Sequence, residues 1–213
     1  MALRILVVDD HAVVRRGVRS LLESHEDWEV CGEATTGREA VEQSRRLRPD
    51  VVVMDLSLPE LNGLDATRQI LKDAPNIEVL VLTMHHSEEL ARDVLQAGAR
   101  GYVLKADADE NLITAVDNLR QHKPFLTSTV TEFVLDDYVR RGDGDQGDLA
   151  LTAREREIIQ LVAEGQSSKE AASTLGISVK TVEAHRANVM RKLHLRSVSD
   201  LVRYAIRNKI VQP

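Results

Sequence analysis

The chain has 213 residues, 28 Lys plus Arg against 34 Asp plus Glu, and a formal net charge of −6. Hydrophobic residues make up 43% and charged residues 29%, a globular mix that excludes wholesale disorder, and the length allows one large domain or two small ones. Aromatic residues reach only 3%, so the core must be built from Val, Leu, Ile and Ala, and one cysteine, Cys31, cannot form an internal disulfide framework.

The first apolar run, Leu3 to Val8, is interrupted by Arg4 and ends at Asp9-Asp10. It fits neither a signal peptide nor a membrane span, so a cytoplasmic protein without membrane attachment is expected. Further runs at Glu29–Cys31, Val51–Met54, Ile77–Leu82 and Gly101–Leu104 are short and rich in Val, Ile and Leu, as strands buried on both faces should be. Between and after them, residues 12–24, 37–47, 64–73, 88–97 and 109–121 carry helical periodicity. Five β-α repeats predict an α/β doubly wound, five-stranded parallel sheet of flavodoxin-like type over residues 1–122. In such sheets ligands sit outside the carboxyl ends of the strands.

Those ends carry Asp9 and Asp10, Asp55, Thr83 and Lys105. Three carboxylates on one rim repel unless a proton or a hard cation is shared, and an all-oxygen set suits Mg²⁺. A lysine and a hydroxyl opposite would complete a phosphoryl site, with Asp55 as the natural nucleophile. A lone Asp at a strand end is usually a turn former or cap; five such residues at the strand ends outweigh that reading. The paired His85-His86 reads as a solvated loop, Cys31 as inert packing, and Trp28 as cover for an edge of the core.

Residues Ile5-Leu6-Val7-Val8-Asp9-Asp10-His11, Met54-Asp55-Leu56-Ser57-Leu58-Pro59-Glu60-Leu61-Asn62-Gly63, Val81-Leu82-Thr83 and Gly101-Tyr102-Val103-Leu104-Lys105 resemble the motifs of two-component receiver domains. The resemblance implies phosphate accepted on Asp55 and Mg²⁺ held by Asp9, Asp10, Asp55 and the backbone carbonyl of Ser57. It also implies a switch pair, Thr83 and Tyr102, with Tyr102 filling space that Thr83 leaves, and a phosphoryl contact from Lys105. Many receivers place a proline after the lysine. Here Ala106 follows, and since a cis bond before it would cost about 3 kcal/mol, a trans bond is expected.

Thr129 to Arg140 has apolar residues near helical spacing, and Arg141 to Asp148 alternates glycine with acids, the composition of a flexible linker. Residues 123–149 are therefore read as a partly helical linker. The charge changes sign there: residues 1–149 carry a net −11 and residues 150–213 a net +5, which points the second module toward a polyanion.

That module, 150–213, is predicted to be a small all-α helix-turn-helix domain. Thr152 and Glu155 have capping-box spacing, with Ile158, Leu161 and Val162 as the buried stripe of the helix they open. A second helix runs from Ser168 to Leu175 and stops at Gly176, and Ser178 can cap a third from Val179 to Leu193. On the third helix Val179, Val182, Val189, Met190 and Leu193 share one face. Lys180, Thr181, Ala184, Ala187, Asn188 and Arg191 lie opposite, with His185 and Lys192 on the flank. Small residues let a helix lie deep in a major groove, while Lys, Arg, Asn and Thr offer phosphate and base-edge contacts. Glu183, Ala184 and Ala187 are expected to set sequence preference. Arg186 reads as a half-buried ion pair with a glutamate of the same domain.

The segments Leu151-Thr152-x-Arg154-Glu155-x-Glu157, Lys169-Glu170-x-Ala172, Ile177-Ser178-x-Lys180-Thr181-Val182-Glu183-x-His185-Arg186-x-Asn188 and Arg191-Lys192-Leu193 resemble the helix-turn-helix of LuxR-type regulators, as does the final helix, Val198 to Ile206. Receiver plus such a tail is similar to the NarL/FixJ class of response regulators. The resemblance implies a DNA-binding transcription regulator, not a conventional enzyme. Its partners would be a sensor histidine kinase, double-stranded DNA with two half-sites, and a second copy of the chain when phosphorylated or DNA-bound. A phosphatase of the haloacid dehalogenase type would need an acid where Ser57 stands, and no phosphate-binding glycine loop of the nucleotide enzymes occurs. A regulator controlled by a ligand in place of phosphate is opposed by the full acidic set.

Overall fold

The computed structural model describes residues 2–84, 87–127, 130–131 and 151–211. The expected linker at Arg141–Asp148, the expected helix at Thr129–Arg140 apart from Val130 and Thr131, and His85-His86 lie outside the described residues. Two compact units make up the chain.

The first unit alternates strands β1 (Leu3–Val8), β2 (Trp28–Ala34), β3 (Val51–Met54), β4 (Glu78–Thr83) and β5 (Gly101–Leu104) with helices α1 (Ala12–Glu23), α2 (Gly37–Leu47), α3 (Gly63–Asp73), α4 (Glu88–Gln96) and α5 (Ala108–Arg120). With β6 (Phe125–Leu126) at the edge, all strand pairs are parallel, and the order is β2-β1-β3-β4-β5-β6. The sheet has six strands, not the expected five. The addition, β6 (Phe125–Leu126), pairs Phe125 with Gly101 and Leu126 with Tyr102. Two residues following Pro124 cannot show a period, so the pattern misses them.

Strand β3 is wholly buried, and β1 nearly so. Its Val51 and Val53 join Leu3, Ile5, Val7, Leu80, Leu82 and Val103 in a core closed by Val18 and Leu22 of α1 and Leu112, Ala115, Val116 and Leu119 of α5. Trp28 is buried in this cluster, stacked on His25 with ring centroids 4.3 Å apart. Cys31 is half-buried at an irregularity where the register passes from Ile5–Val30 to Leu6–Gly32, and its thiol donates to the Ile5 carbonyl at 3.4 Å.

The second unit comprises α6 (Ala153–Ala163), α7 (Ser168–Leu175), α8 (Val179–Lys192) and α9 (Val198–Arg207). Thr152 and Glu155 form a complete capping box, and Ser167 with Glu170 forms a second one at α7. Gly176 ends α7 in the left-handed conformation at φ 64°, and the Ser178 hydroxyl accepts from the Thr181 amide to open α8. These caps satisfy backbone groups that a short helix leaves unpaired. Ile158, Ile159, Leu161, Ala171, Val182, Val189, Leu201 and Ala205 build the core of this unit. Val179 departs from the predicted buried face: in the first turn of α8 its side chain is 39% exposed.

Candidate functional sites: an acidic cup and a polar helix face

Strand order places the switch point of the sheet between β1 and β3. Val8 is in register with Met54, so the next residues, Asp9 and Asp55, emerge side by side, and the Asp55 amide donates to the Val8 carbonyl at 2.9 Å. On the far side of β4, Thr83 pairs with Leu104, which delivers Lys105 to the same rim. The Lys105 ammonium reaches Oδ2 of Asp9 at 2.7 Å and Oδ2 of Asp55 at 2.9 Å. The peptide bond before Ala106 is trans, as expected, and the lysine reaches both acids without a proline behind it.

Asp9 and Asp55 are buried and Asp10 is exposed at the mouth. Oδ1 of Asp55 accepts the Leu56 amide, and Oδ1 of Asp9 accepts the His11 amide, both at 2.8 Å. Oδ2 of Asp55 is buried against that ammonium. Burial raises the Asp55 carboxyl above the ordinary range, partly offset by Lys105. For Lys105 burial works against the charge, but the two carboxylates outweigh it and hold its pKa above the ordinary lysine value.

The donor chemistry fits a divalent cation. One ligand atom each from Asp9, Asp10, His11 and Asp55 all lie within 4.8 Å of one another. An ion with oxygen ligands at about 2.1 Å requires separations between about 3 and 4.2 Å in an octahedral shell, well inside that span. The sequence pattern brings out the three acids, and the fold places the His11 ring beside them.

Thr83 and Tyr102 are both fully buried, on adjacent strands β4 and β5. Tyr102 already sits inside, and burial pushes its phenol up to about 12. Ser57 lies in the loop after β3, two residues beyond Asp55. Gly63, at the start of α3, approaches so closely that a Cβ there would stand 1.9 Å from the Asp55 carbonyl oxygen.

On α8, Lys180, Thr181, Glu183, Ala184, Ala187, Asn188 and Arg191 are exposed, while His185 and Lys192 are half-buried. The structure thus brings the predicted contact residues onto one helix with its solvent side open. Asn188 accepts from Arg191 at 2.9 Å, which orders that pair. The Lys192 ammonium also meets the capping Glu155 of α6 at 3.2 Å. Arg186 is corrected: it is half-buried, but it donates to the Ser168 hydroxyl at 3.4 Å and not to a glutamate.

A parallel sheet with an acid-lysine cup at its switch point, alongside a capped helix-turn-helix, defines a receiver joined to a nucleic-acid-binding output. Known proteins agree. Residues 5–117 match the response regulator receiver domain, and residues 149–205 match the bacterial regulatory proteins of the luxR family. Oxygen regulatory protein NreC of Staphylococcus epidermidis is 39% identical over 217 residues, spanning 99% of this chain and 100% of the relative. NreC of Staphylococcus carnosus is 39% identical over 215 residues, spanning 98% and 99%. Among solved structures, a LuxR-family two-component response regulator from Aurantimonas sp. SI85-9A1 superposes with a TM-score of 0.62 at 34% identity, covering 65% of this chain and 99% of its own. RcsB from Salmonella enterica serovar Typhimurium, bound to promoter P1flhDC in the presence of the phosphomimetic BeF3−, gives 0.60 at 28% identity, covering 96% and 98%. The chain belongs to the LuxR-family response regulators of the NarL/FixJ class, with a receiver and a DNA-binding helix-turn-helix. Among the described residues no helix is long and apolar enough to cross a membrane.

Proposed function

We propose that this chain is a phosphorylation-switched, sequence-specific transcription regulator of a bacterial two-component system, acting in the cytoplasm. Residues 1–122 would receive the signal, 123–149 link, and 150–213 bind DNA. The observation that carries the reading is the Lys105 ammonium set between two buried carboxylates at the carboxyl ends of β1 and β3.

A carboxylate oxygen of Asp55 attacks the phosphorus of a phosphohistidine on a sensor kinase. The P–O bond forms as the P–N bond breaks, and the imidazole leaves with the electron pair. Asp9, Asp10, Asp55 and the Ser57 carbonyl would hold Mg²⁺, which when bound offsets the negative charge of the incoming phosphoryl group. Lys105 supplies a second, fixed positive charge, and the Thr83 hydroxyl would hydrogen-bond a phosphoryl oxygen. The chain accepts a group in this step and is not a conventional enzyme.

Output runs through α8. Ala184 and Ala187 allow close approach to the major groove, Lys180, Thr181, His185, Asn188, Arg191 and Lys192 contact phosphates or base edges, and Glu183 helps set preference. Support comes from RcsB, solved as dimers bound to DNA and in the presence of a phosphomimetic. Pairing of phosphorylated receivers would raise the effective concentration of two output domains at a two-half-site operator. Footprinting on genomic fragments with and without a small-molecule phosphodonor and Mg²⁺ tests this. Protection of paired half-sites should strengthen with the donor, and Asp55→Asn should abolish both that gain and acid-labile phosphate incorporation. Wild-type incorporation in Asp55→Asn would refute the assignment.

A further inference from the structure

We propose that Arg154 is a positioning residue for DNA readout: from the first turn of α6 it holds the end of α7 and so sets the angle at which α8 is presented. This deepens the reading above and rests on its assignment of α8 to DNA. Arg154 stands on α6, not on the helix that would read the groove. Its guanidinium nevertheless makes two contacts at once. Nη1 donates to Oε2 of Glu157 at 2.8 Å, and Nη2 donates to the Leu175 carbonyl at 3.1 Å. Leu175 is the last residue of α7, immediately before the turn Gly176-Ile177-Ser178 that leads into α8.

The last carbonyls of a helix have no partner within it. At the end of α7 those of Ala172 and Ser173 accept the amides of Ile177 and Gly176, and that of Leu175 is taken by Arg154. The turn is therefore tied to α6 as well as to α7. The guanidinium is itself held, since Glu157 is buried and Arg154 half-buried. A planar fork with one arm on a buried carboxylate aims its other arm in one direction. The next residue continues the hold. Oε2 of Glu155 accepts the Thr152 amide at 2.8 Å and meets the Lys192 ammonium, in the last turn of α8, at 3.2 Å. One turn of α6 thus fixes α8 just before its first residue and again near its end.

That hold bears differently on the two kinds of DNA contact. A flexible cation can follow a phosphate through a small tilt of its helix, whereas hydrogen bonds to base edges depend on direction and fail. Loosening the turn therefore costs sequence discrimination before it costs non-specific binding.

The test uses the full chain and two duplexes, one selected by the wild type from a random pool and a shuffled one of the same composition. Arg154→Lys keeps a positive charge against Glu157 but lacks the fork that reaches both partners. It should lose about tenfold or more in the ratio of the two affinities, the scale on which a base contact discriminates, while shuffled-duplex affinity and salt slope stay near wild type. Amide NMR of the free variant should show Gly176, Ile177 and Ser178 shifted. Arg154→Met also strips the buried Glu157 of its arginine and should add a fall in the melting temperature of the second unit. An unchanged ratio in Arg154→Lys, or an equal loss on both duplexes that follows the melting temperature, overturns the proposal and leaves Arg154 as structural support. If the wild type selects no sequence from the pool, the assignment of α8 to sequence-specific binding itself falls.

Discussion

Replacing Lys105 by Met removes the one ammonium set between two buried carboxylates while keeping an apolar stem of similar length. The lysine side chain is 9% exposed and those of Asp9 and Asp55 are 3% and 2%, so this is the buried case, not the nearly neutral surface case. Removing one partner of a buried pair costs about 3–5 kcal/mol, and here two acids lose the same partner. The cost is limited by protonation, because a carboxyl left without its cation can take up a proton instead of staying charged. The sign of the pH dependence follows. Asp55 is already raised by burial, and without Lys105 it rises further. A carboxyl raised above its unfolded value destabilises the fold as pH climbs from that unfolded value through the folded one, and it costs nothing below both. The deficit of the variant should therefore be small near pH 4 and full at pH 8. Trp28, the single tryptophan, is buried in the core of the first unit, so its fluorescence follows that unit alone within the full chain. Urea titration in EDTA should show a midpoint lower by about 2 M at pH 8, for a slope of about 1.5 kcal/mol per molar. A deficit below about 1 kcal/mol, or one independent of pH, would show that the three charges are solvated and uncoupled.

Other substitutions probe different parts of the argument. Gly63→Ala drives a Cβ to 1.9 Å from the Asp55 carbonyl oxygen and should cost about 1–3 kcal/mol by the Trp28 assay while slowing phosphorylation; a stable, fully active variant would mean the loop yields freely. Arg191→Ala should weaken DNA binding about evenly across sequences and reduce the salt slope by about 1, whereas changes at Ala187 should alter which sequence is preferred in a selection experiment. Lys192→Ala should lower DNA affinity and the melting temperature of the second unit together, because it also strips Glu155 of its partner; a loss of affinity with unchanged melting would assign Lys192 to phosphate contact alone.

Much of this was legible because each layer left a local mark. Fully buried strands such as Val51–Met54 read as unbroken apolar runs, and the sheet rule then names the residues after them as the site. Thr152 with Glu155, Gly176 and Ser178 mark helix ends by chemistry that acts within a few residues. What stayed hidden depends on neighbours distant in sequence. Strand β6 is too short for a period, and Cys31 sits at a register shift that only pairing with β1 creates. The wheel of α8 places Val179 with Val182, yet a first-turn residue lies beyond the packing of α6 and α7 and stays exposed. Lys192 and Arg186 find partners on other helices, and no spacing rule along one helix foresees Glu155 or Ser168.

Under the proposed function, Thr83 and Tyr102 would form a switch pair. Tyr102 is among the largest fully buried side chains of the chain, and Thr83 beside it has no exposure at all. From this conformation, a signal through the proposed pair would come from a change of hydrogen-bond partner at the Thr83 hydroxyl and from repacking of the ring within the interior. Truncating Tyr102 to Ala would confuse that signal with a core defect of about 3–5 kcal/mol. Tyr102→Phe keeps the ring volume and removes only the hydroxyl, so it separates the two. If the ring's packing carries the signal, Tyr102→Phe should retain phosphodonor-dependent DNA binding with wild-type gain. If the hydroxyl carries it, the gain should vanish while the Trp28 unfolding midpoint stays within about 1 kcal/mol of the wild type.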